Sequence, residues 1–167
     1  MASTQSWTEY NGAAATATAT RTEVNWKNID DSTTAYTASP VTVPGAGLAY
    51  SFSKVQALVY AGVWNSLSAF TYKVSTAAPG TGVALNADVI ATFVQPTTAV
   101  QPAAAASTTG TAANFNSSTT PFGVGTTSST ASGTMYVNAY RTQLAVGTTA
   151  GPGDITSVTV TASWTES

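Results

Sequence analysis

Acidic side chains are the most direct candidates for chemistry in this chain, and Asp30 and Asp31 are its only adjacent pair. Paired carboxylates can hydrolyse glycosides, and carboxylates together with backbone carbonyls can bind calcium. The surrounding string Asn-Ile-Asp-Asp-Ser-Thr, residues 28–33, is also typical of a turn, because Asn, Asp and Ser side chains hydrogen-bond to nearby backbone groups. We predict a turn here, and a weak calcium site at the two aspartates remains the alternative.

Nucleophilic catalysis lacks its usual groups, because the chain contains neither histidine nor cysteine. Those residues supply the general base or the thiolate of the common nucleophilic sites. Ser53 and Lys54 are adjacent, but adjacent side chains on a strand point to opposite faces. The glycine-rich strings at 123–125 and 151–153 do not lie between a strand and a helix, as a phosphate-binding loop does. We predict no enzymatic activity, no catalytic residue and no cofactor.

The bulk composition limits the classes of partner. Only 7% of the 167 residues are charged, whereas about 25% is usual in soluble domains. The net charge is −2 and the five basic residues are scattered, so we expect no nucleic-acid binding. The absence of cysteine excludes a disulfide framework. The first residues lack the regions of a secretory signal, and no apolar run approaches the ~20 residues of a membrane helix. We therefore expect synthesis in a cytoplasm, without export or membrane binding.

The elements that must position any site are predicted to be strands. Threonine and valine dominate the periodic segments, and branching at Cβ favours strands over helices. The C-terminal segment, residues 155–164, alternates most clearly. Its apolar face holds Val158, Val160, Ala162 and Trp164.

Other segments show weaker strand patterns. Residues 55–72 are predicted to form two strands joined as a hairpin by a turn at Asn65 and Ser66. Longer strands are predicted over 83–94 and 136–146, and shorter ones over 22–26 and 40–43. The one ambiguity is 51–58, which could open with a single helical turn.

These patterns predict one all-β domain over residues 1–167, an antiparallel β-sandwich of jelly-roll-like type. Residues 1–21 could form an extended N-terminal arm, in which the Ala/Thr alternation at 12–20 is either an edge strand or flexible. Residues 103–132, rich in Ala, Ser and Thr, are predicted to be a long loop or insertion. That segment either orders against a partner or sister subunit or is disordered.

The aromatic residues divide into two that are predicted to lie in the core and four that are candidates for partner contacts. Trp26 and Trp164 lie on strand patterns and are predicted to be core residues. The remaining aromatics near an end, a turn or within the long loop could instead lie at a protein interface or stack on a carbohydrate. These candidates are Trp7, Trp64, Phe115 and Phe122.

The central segment, residues 50–75, resembles a stretch of small virion proteins of tailed bacteriophages, of the capsid-decoration (cement) and minor structural kind. A Ser-Phe-x-Lys opening at 51–54 precedes a strand, and Gly-x-Trp-x-x-Leu-Ser at 62–68 leads into an aromatic strand. The upstream string 25–31 and the downstream string 79–85 fit the same layout, so the resemblance spans about half the chain. It implies a β-sandwich subunit that assembles on a capsid surface and has no enzymatic role.

The first functional hypothesis is therefore a virion protein that decorates or cements a phage capsid. It would bind the major capsid protein and its sister subunits, as a homotrimer at a symmetry axis. The alternative is a fibre, pilin-like or surface-layer subunit, in which residues 13–21 would add a strand to a neighbour's sheet. A carbohydrate-binding module that uses Trp7 or Trp64 is a further alternative.

Overall fold

The chain folds into two antiparallel sheets in a computed structural model. The structure describes residues 3–13, 16–18, 24–74, 79–90, 93–99, 112–114, 117–118, 128–129, 132–137, 139–153 and 158–167. The strands within these residues are β1 (Thr4–Asn11), β2 (Thr16–Thr18), β3 (Leu48–Tyr50), β4 (Lys54–Val63), β5 (Leu67–Val74), β6 (Val83–Ile90), β7 (Ala112–Asn114), β8 (Ser117–Ser118), β9 (Ser128–Ser129), β10 (Ser132–Val137), β11 (Ala139–Gly147) and β12 (Val160–Glu166).

The large sheet is built around β4. One edge of β4 pairs with β1, and the other edge pairs with β10 and then β11. β11 also pairs with β3 and along the whole of β6, while β2 lies beyond β1 and β8 beyond β10. The small sheet has β5 between β12 on one side and the short strands β7 and β9 on the other.

The core lies between the two sheets. Large apolar side chains of the large sheet pack there against those of the small sheet, which makes the fold an antiparallel β-sandwich as the sequence predicted. Along β12 the residues alternate between half-buried and exposed, which confirms the predicted C-terminal pattern. The fully buried members of this core are Leu58, Tyr60, Trp64, Leu67, Phe70, Leu85 and Tyr140.

The predicted hairpin at 55–72 is wrong in its pairing. Both strands form, but β4 belongs to the large sheet and β5 to the small one, so the connection at 64–66 crosses between sheets. The reason is that β4 is covered on both edges and on both faces. Val55 and Ala57 face a second cluster with Tyr10, while Leu58 and Tyr60 face the main core. Apolar residues on both faces of β4 therefore reflect burial within a layered fold rather than pairing with the next strand.

The N-terminal segment is part of the sandwich. β1 pairs with β4 in the same chain from Thr4 to Tyr10, and the sequence had not predicted this strand. Residues 16–18 form an edge strand on β1, which favours the edge-strand interpretation of the Ala/Thr repeat. The described part of the segment proposed for strand addition thus lies in the chain's own sheet.

Other predicted boundaries also need correction. Within 103–132 the described residues form β7, β8 and β9, so this segment is not one uninterrupted loop. Residues 24–26 and 40–43 are not strands, and 51–53 contain no helical turn. The described residues of the predicted strand at 136–146 lie in β10 and β11, and the register with β4 changes by one residue between the two.

A β-bulge in β5 sets which side chains enter the core. Opposite β12, the register shifts so that Ala69 and Phe70 together face Trp164. Ala69 adopts a positive φ of 54°, and this extra residue lets Leu67 and Phe70 both point inward. A residue with Cβ is strained in this left-handed conformation.

We expect Ala69→Gly to raise the free energy of unfolding by roughly 0.5–1 kcal/mol, because glycine adopts positive φ without a Cβ clash. Ala69 is exposed, so no core contact is lost. Urea denaturation of the variant and the parent chain measures the difference. Ser68→Gly, one residue earlier in the same strand, is the matched control and should destabilise; stabilisation by both changes would contradict the strain at Ala69.

Candidate functional site

A long connection between β2 and β3 is the most distinctive surface feature. Residues 24–47, which we call the anchored loop, contain no strand and only a single turn of 3₁₀ helix at Tyr36–Ala38. Irregular segments of this length in compact domains are usually functional or disordered. The anchored loop is instead fixed to the sandwich by buried charged groups.

Lys27 is the first anchor. Its side chain is almost fully buried, and its Nζ donates hydrogen bonds to Asp31 Oδ1 at 2.6 Å and to the Thr34 carbonyl. The Lys27 carbonyl accepts a hydrogen bond from the Phe52 backbone N–H at 2.9 Å, which connects the loop to the segment before β4.

Asp31 organises the turn that the sequence predicted. Its carboxylate accepts hydrogen bonds from the backbone N–H groups of Thr33 and Thr34 and from the Thr34 hydroxyl. Burial alone would raise the pKa of Asp31, but the hydrogen bonds from Lys27 and Thr34 hold that pKa well below its usual range. The carboxylate therefore remains charged and tied to the loop.

Lys54, the first residue of β4, is the second anchor. Its side chain is 1% exposed, and its Nζ donates to the carbonyls of Ile29 at 3.1 Å and Asp31 at 3.0 Å. Glu9 Oε1 lies 4.0 Å from the same Nζ. Burial lowers the pKa of Lys54, and the nearby Glu9 carboxylate opposes this effect.

These contacts give the acidic pair a structural role. A calcium ion would need carboxylate and carbonyl oxygens, and in this loop the carbonyls of Ile29 and Asp31 accept hydrogen bonds from Lys54 Nζ. Asp30 Oδ2 accepts a hydrogen bond from the Gly12 N–H at 3.1 Å. Among the residues that the structure describes, no cluster of three or more potential metal ligands is found.

The anchored loop displays large apolar side chains to solvent. Leu48, directly after the loop, is 57% exposed, and Val94 is 72% exposed. Val94 lies near the loop, because the adjacent Gln95 amide is 3.5 Å from Asp30 Oδ2. Three of the exposed apolar residues belong to the loop itself, and exposed apolar side chains on a soluble protein are candidate contacts for a partner. The exposed apolar residues of this region, which we call the apolar rim, are Ile29, Tyr36, Val43, Leu48 and Val94.

Of the four predicted contact residues, the two that the structure describes, Trp64 and Trp7, do not belong to the apolar rim. Trp64 is 4% exposed and belongs to the main core, so its prediction as a surface contact is wrong for the single chain. The cause is the crossing at 64–66, which turns the indole inward between the sheets. Trp7 is half-buried against the same core. Phe115 and Phe122 lie outside the described residues.

Sequence reasoning missed both lysine anchors. Lys54 could have been noticed, because it continues the inward-facing series Gln56, Leu58 and Tyr60 at a spacing of two. A lysine in such a position is buried only when partners compensate its charge.

Comparison with protein-family models found no match, and comparisons with curated proteins and with solved structures found no significant match either. Of the described helical residues, none belongs to a helix long and apolar enough to span a membrane.

We expect a characteristic pH dependence of stability. Asp31 has a lowered pKa in the folded state, so its contribution is present above about pH 4 and is lost as the pH falls further. Solvent screens this partly exposed carboxylate, which limits the contribution to the order of 1 kcal/mol. Burial raises the pKa of Tyr60, so its contribution is present below about pH 10 and is lost above it. Without histidine, stability should change little between about pH 5 and 8.

Thermal unfolding from about pH 2 to 11 measures this profile. Tyr60→Phe is the control for the alkaline limb, since the Tyr60 hydroxyl has no hydrogen-bond partner among the residues that the structure describes. The variant should lose less stability than the parent chain above about pH 10. If the two proteins lost stability equally above about pH 10, the alkaline loss of stability could not be assigned to Tyr60.

Proposed function

We propose that this chain is a non-catalytic virion protein that decorates or cements a phage capsid through protein–protein contacts. The observation that carries the proposal is the apolar rim on a loop held in place by buried lysines. The phage setting is supported by the resemblance of residues 50–75 to capsid-decoration proteins. The partners are the major capsid protein and sister subunits in a homotrimer, and the chain is made in the host cytoplasm before joining the particle.

The chemistry of the anchored loop suits such an interface. Its exposed residues are Thr, Ala, Gly, Asn and one Pro together with Ile29, Tyr36 and Val43, so no flexible charged side chain among them must be ordered on binding. Lys27 and Lys54 already fix the loop in the free protein, which lowers the entropy lost when a partner binds. Within the loop, Lys27 and Asp31 form an ion pair with each other, and binding of a partner should therefore depend weakly on salt.

Purified particles of the phage that encodes the chain provide the test. Mass spectrometry should detect the chain in the particles, and cryo-electron microscopy should show its density on the outer surface of the shell. Particles that lack the chain, or that hold it only inside the shell, would overturn the proposal.

The contribution of the apolar rim can be measured on capsids that lack the chain. A variant with Tyr36→Ser and Val43→Ser should bind at least ~10-fold more weakly, because each lost apolar anchor typically costs about 1 kcal/mol or more. Val63→Ser is the matched control, since Val63 is 51% exposed at the far end of β4. Equal weakening by both variants would exclude the apolar rim as the specific contact.

A further inference from the structure

Three buried polar side chains of β1 and β4, those of Glu9, Asn11 and Lys54, form a group that could react with one another. Glu9 and Asn11 are two residues apart on β1, so they share a face of the sheet. The strand register pairs Glu9 with Gln56 and Tyr10 with Val55, and continuing it by one residue would set Asn11 opposite Lys54. Exposure is 4% for Glu9, 8% for Asn11 and 1% for Lys54.

The spacing allows the lysine to reach the carboxamide. Directly opposed residues of an antiparallel pair have Cβ atoms about 4.5–5.5 Å apart, well within the span of a lysine side chain. Glu9 lies on the same strand and the same face as Asn11, and its Oε1 is 4.0 Å from Lys54 Nζ. The position of Nζ is therefore consistent with a lysine that reaches this face of β1.

We propose that Lys54 and Asn11 join in an intramolecular isopeptide bond, with Glu9 as the proton-transfer residue. The Nζ of neutral Lys54 attacks Cγ of Asn11, so that the Nζ–Cγ bond forms and the Cγ–Nδ2 bond breaks. Glu9 accepts a proton from Nζ and delivers it to Nδ2, which leaves as ammonia. No electron is gained or lost, and no co-reactant is needed.

The surroundings of Nζ favour this step. A neutral amine has two N–H donors and one lone pair, and the carbonyls of Ile29 and Asp31 offer two acceptors. With both hydrogens bound to these carbonyls, the lone pair is left for attack on the carboxamide. Burial also favours the neutral amine, since it lowers the pKa of Lys54.

The isopeptide bond would be a covalent cross-link within a chain that cannot form a disulfide. The chain has no cysteine and therefore no disulfide. A Lys54–Asn11 bond would join the N-terminal strand β1 to the central strand β4, where the chain also anchors its long loop. This inference is independent of the proposed function, because it concerns the stability of the subunit alone.

Intact mass spectrometry of the purified full chain under denaturing conditions tests the proposal. The expected result is a mass about 17 Da below that calculated from the sequence, the mass of the ammonia lost. Trypsin should fail to cleave after Lys54 and should release a branched peptide that joins the segment containing Asn11 to the segment containing Lys54. Glu9→Gln, Asn11→Ala and Lys54→Met should each restore the calculated mass.

Other outcomes would overturn the inference without depending on how the variants fold. The unmodified mass in the parent chain would exclude the bond. A loss of about 18 Da would indicate loss of water from a carboxyl group instead of ammonia from Asn11, and a gain of about 1 Da would indicate hydrolysis of an asparagine side chain. A loss of about 17 Da without the branched peptide would place the reaction elsewhere.

Discussion

Replacing Trp64 with alanine should lower the free energy of unfolding by about 3–5 kcal/mol, one of the two largest effects expected of a single substitution here. The indole is 4% exposed and packs in the main core at the crossing between β4 and β5. Removing it leaves a cavity between the two sheets that the paired strands cannot close by moving.

The loss of stability in Trp64→Ala should come from the lost packing of the indole and not from a lost hydrogen bond. The Trp64 Nε1 group is buried without a hydrogen-bond partner in the described part of the chain, so Trp64→Phe removes an uncompensated donor while it keeps much of the ring volume. We expect Trp64→Phe to cost about 1–2 kcal/mol, clearly less than alanine.

Urea denaturation with Val63→Ala as the control measures these differences. Val63 is adjacent in sequence but 51% exposed, so its truncation should cost less than about 1 kcal/mol. A Trp64→Ala variant as stable as Val63→Ala would mean that the indole lies on the surface, as the sequence had predicted.

The structure shows which parts of the fold follow from local patterns. β12 was predictable because its apolar residues alternate with polar ones on a single face, and this alternation depends only on neighbouring positions. The face of β6 that holds Val83 and Leu85 was predictable for the same reason. The burial of Trp64 in the core was not predictable from local patterns. A short turn can close a hairpin or cross between two sheets, and the pairing with distant strands decides between these outcomes.

The anchored loop was unpredictable for a related reason. The oxygen atoms that bind Lys54 Nζ belong to residues 25 and 23 positions earlier in the chain. A string with Asn, two Asp and Ser correctly predicted the turn at Asp31, because its hydrogen bonds to Thr33 and Thr34 are local. Nothing local predicted that Lys54 of β4 would hold this turn against the sandwich.

Lys27→Met is the second large prediction, and we expect it to lower the free energy of unfolding by about 2–3 kcal/mol. The side chain of Lys27 is 2% exposed, whereas that of Asp31 is 30% exposed. Breaking a fully buried pair costs about 3–5 kcal/mol, and water can partly solvate the remaining Asp31 carboxylate, which reduces the effect. Methionine keeps the length and apolar contacts of the lysine stem, so the loss isolates the charge and its hydrogen bonds.

The same substitution should loosen the anchored loop before it unfolds the sandwich. Hydrogen exchange should accelerate at the Thr33 and Thr34 amides, which bond to Asp31, and change little in β12. Asn28→Ala is the matched control, because its exposed side chain neighbours Lys27. Uniform acceleration across the chain would show that Lys27 stabilises the whole fold rather than the loop. Unchanged exchange at Thr33 and Thr34 would show that their hydrogen bonds to Asp31 hold the turn without the lysine.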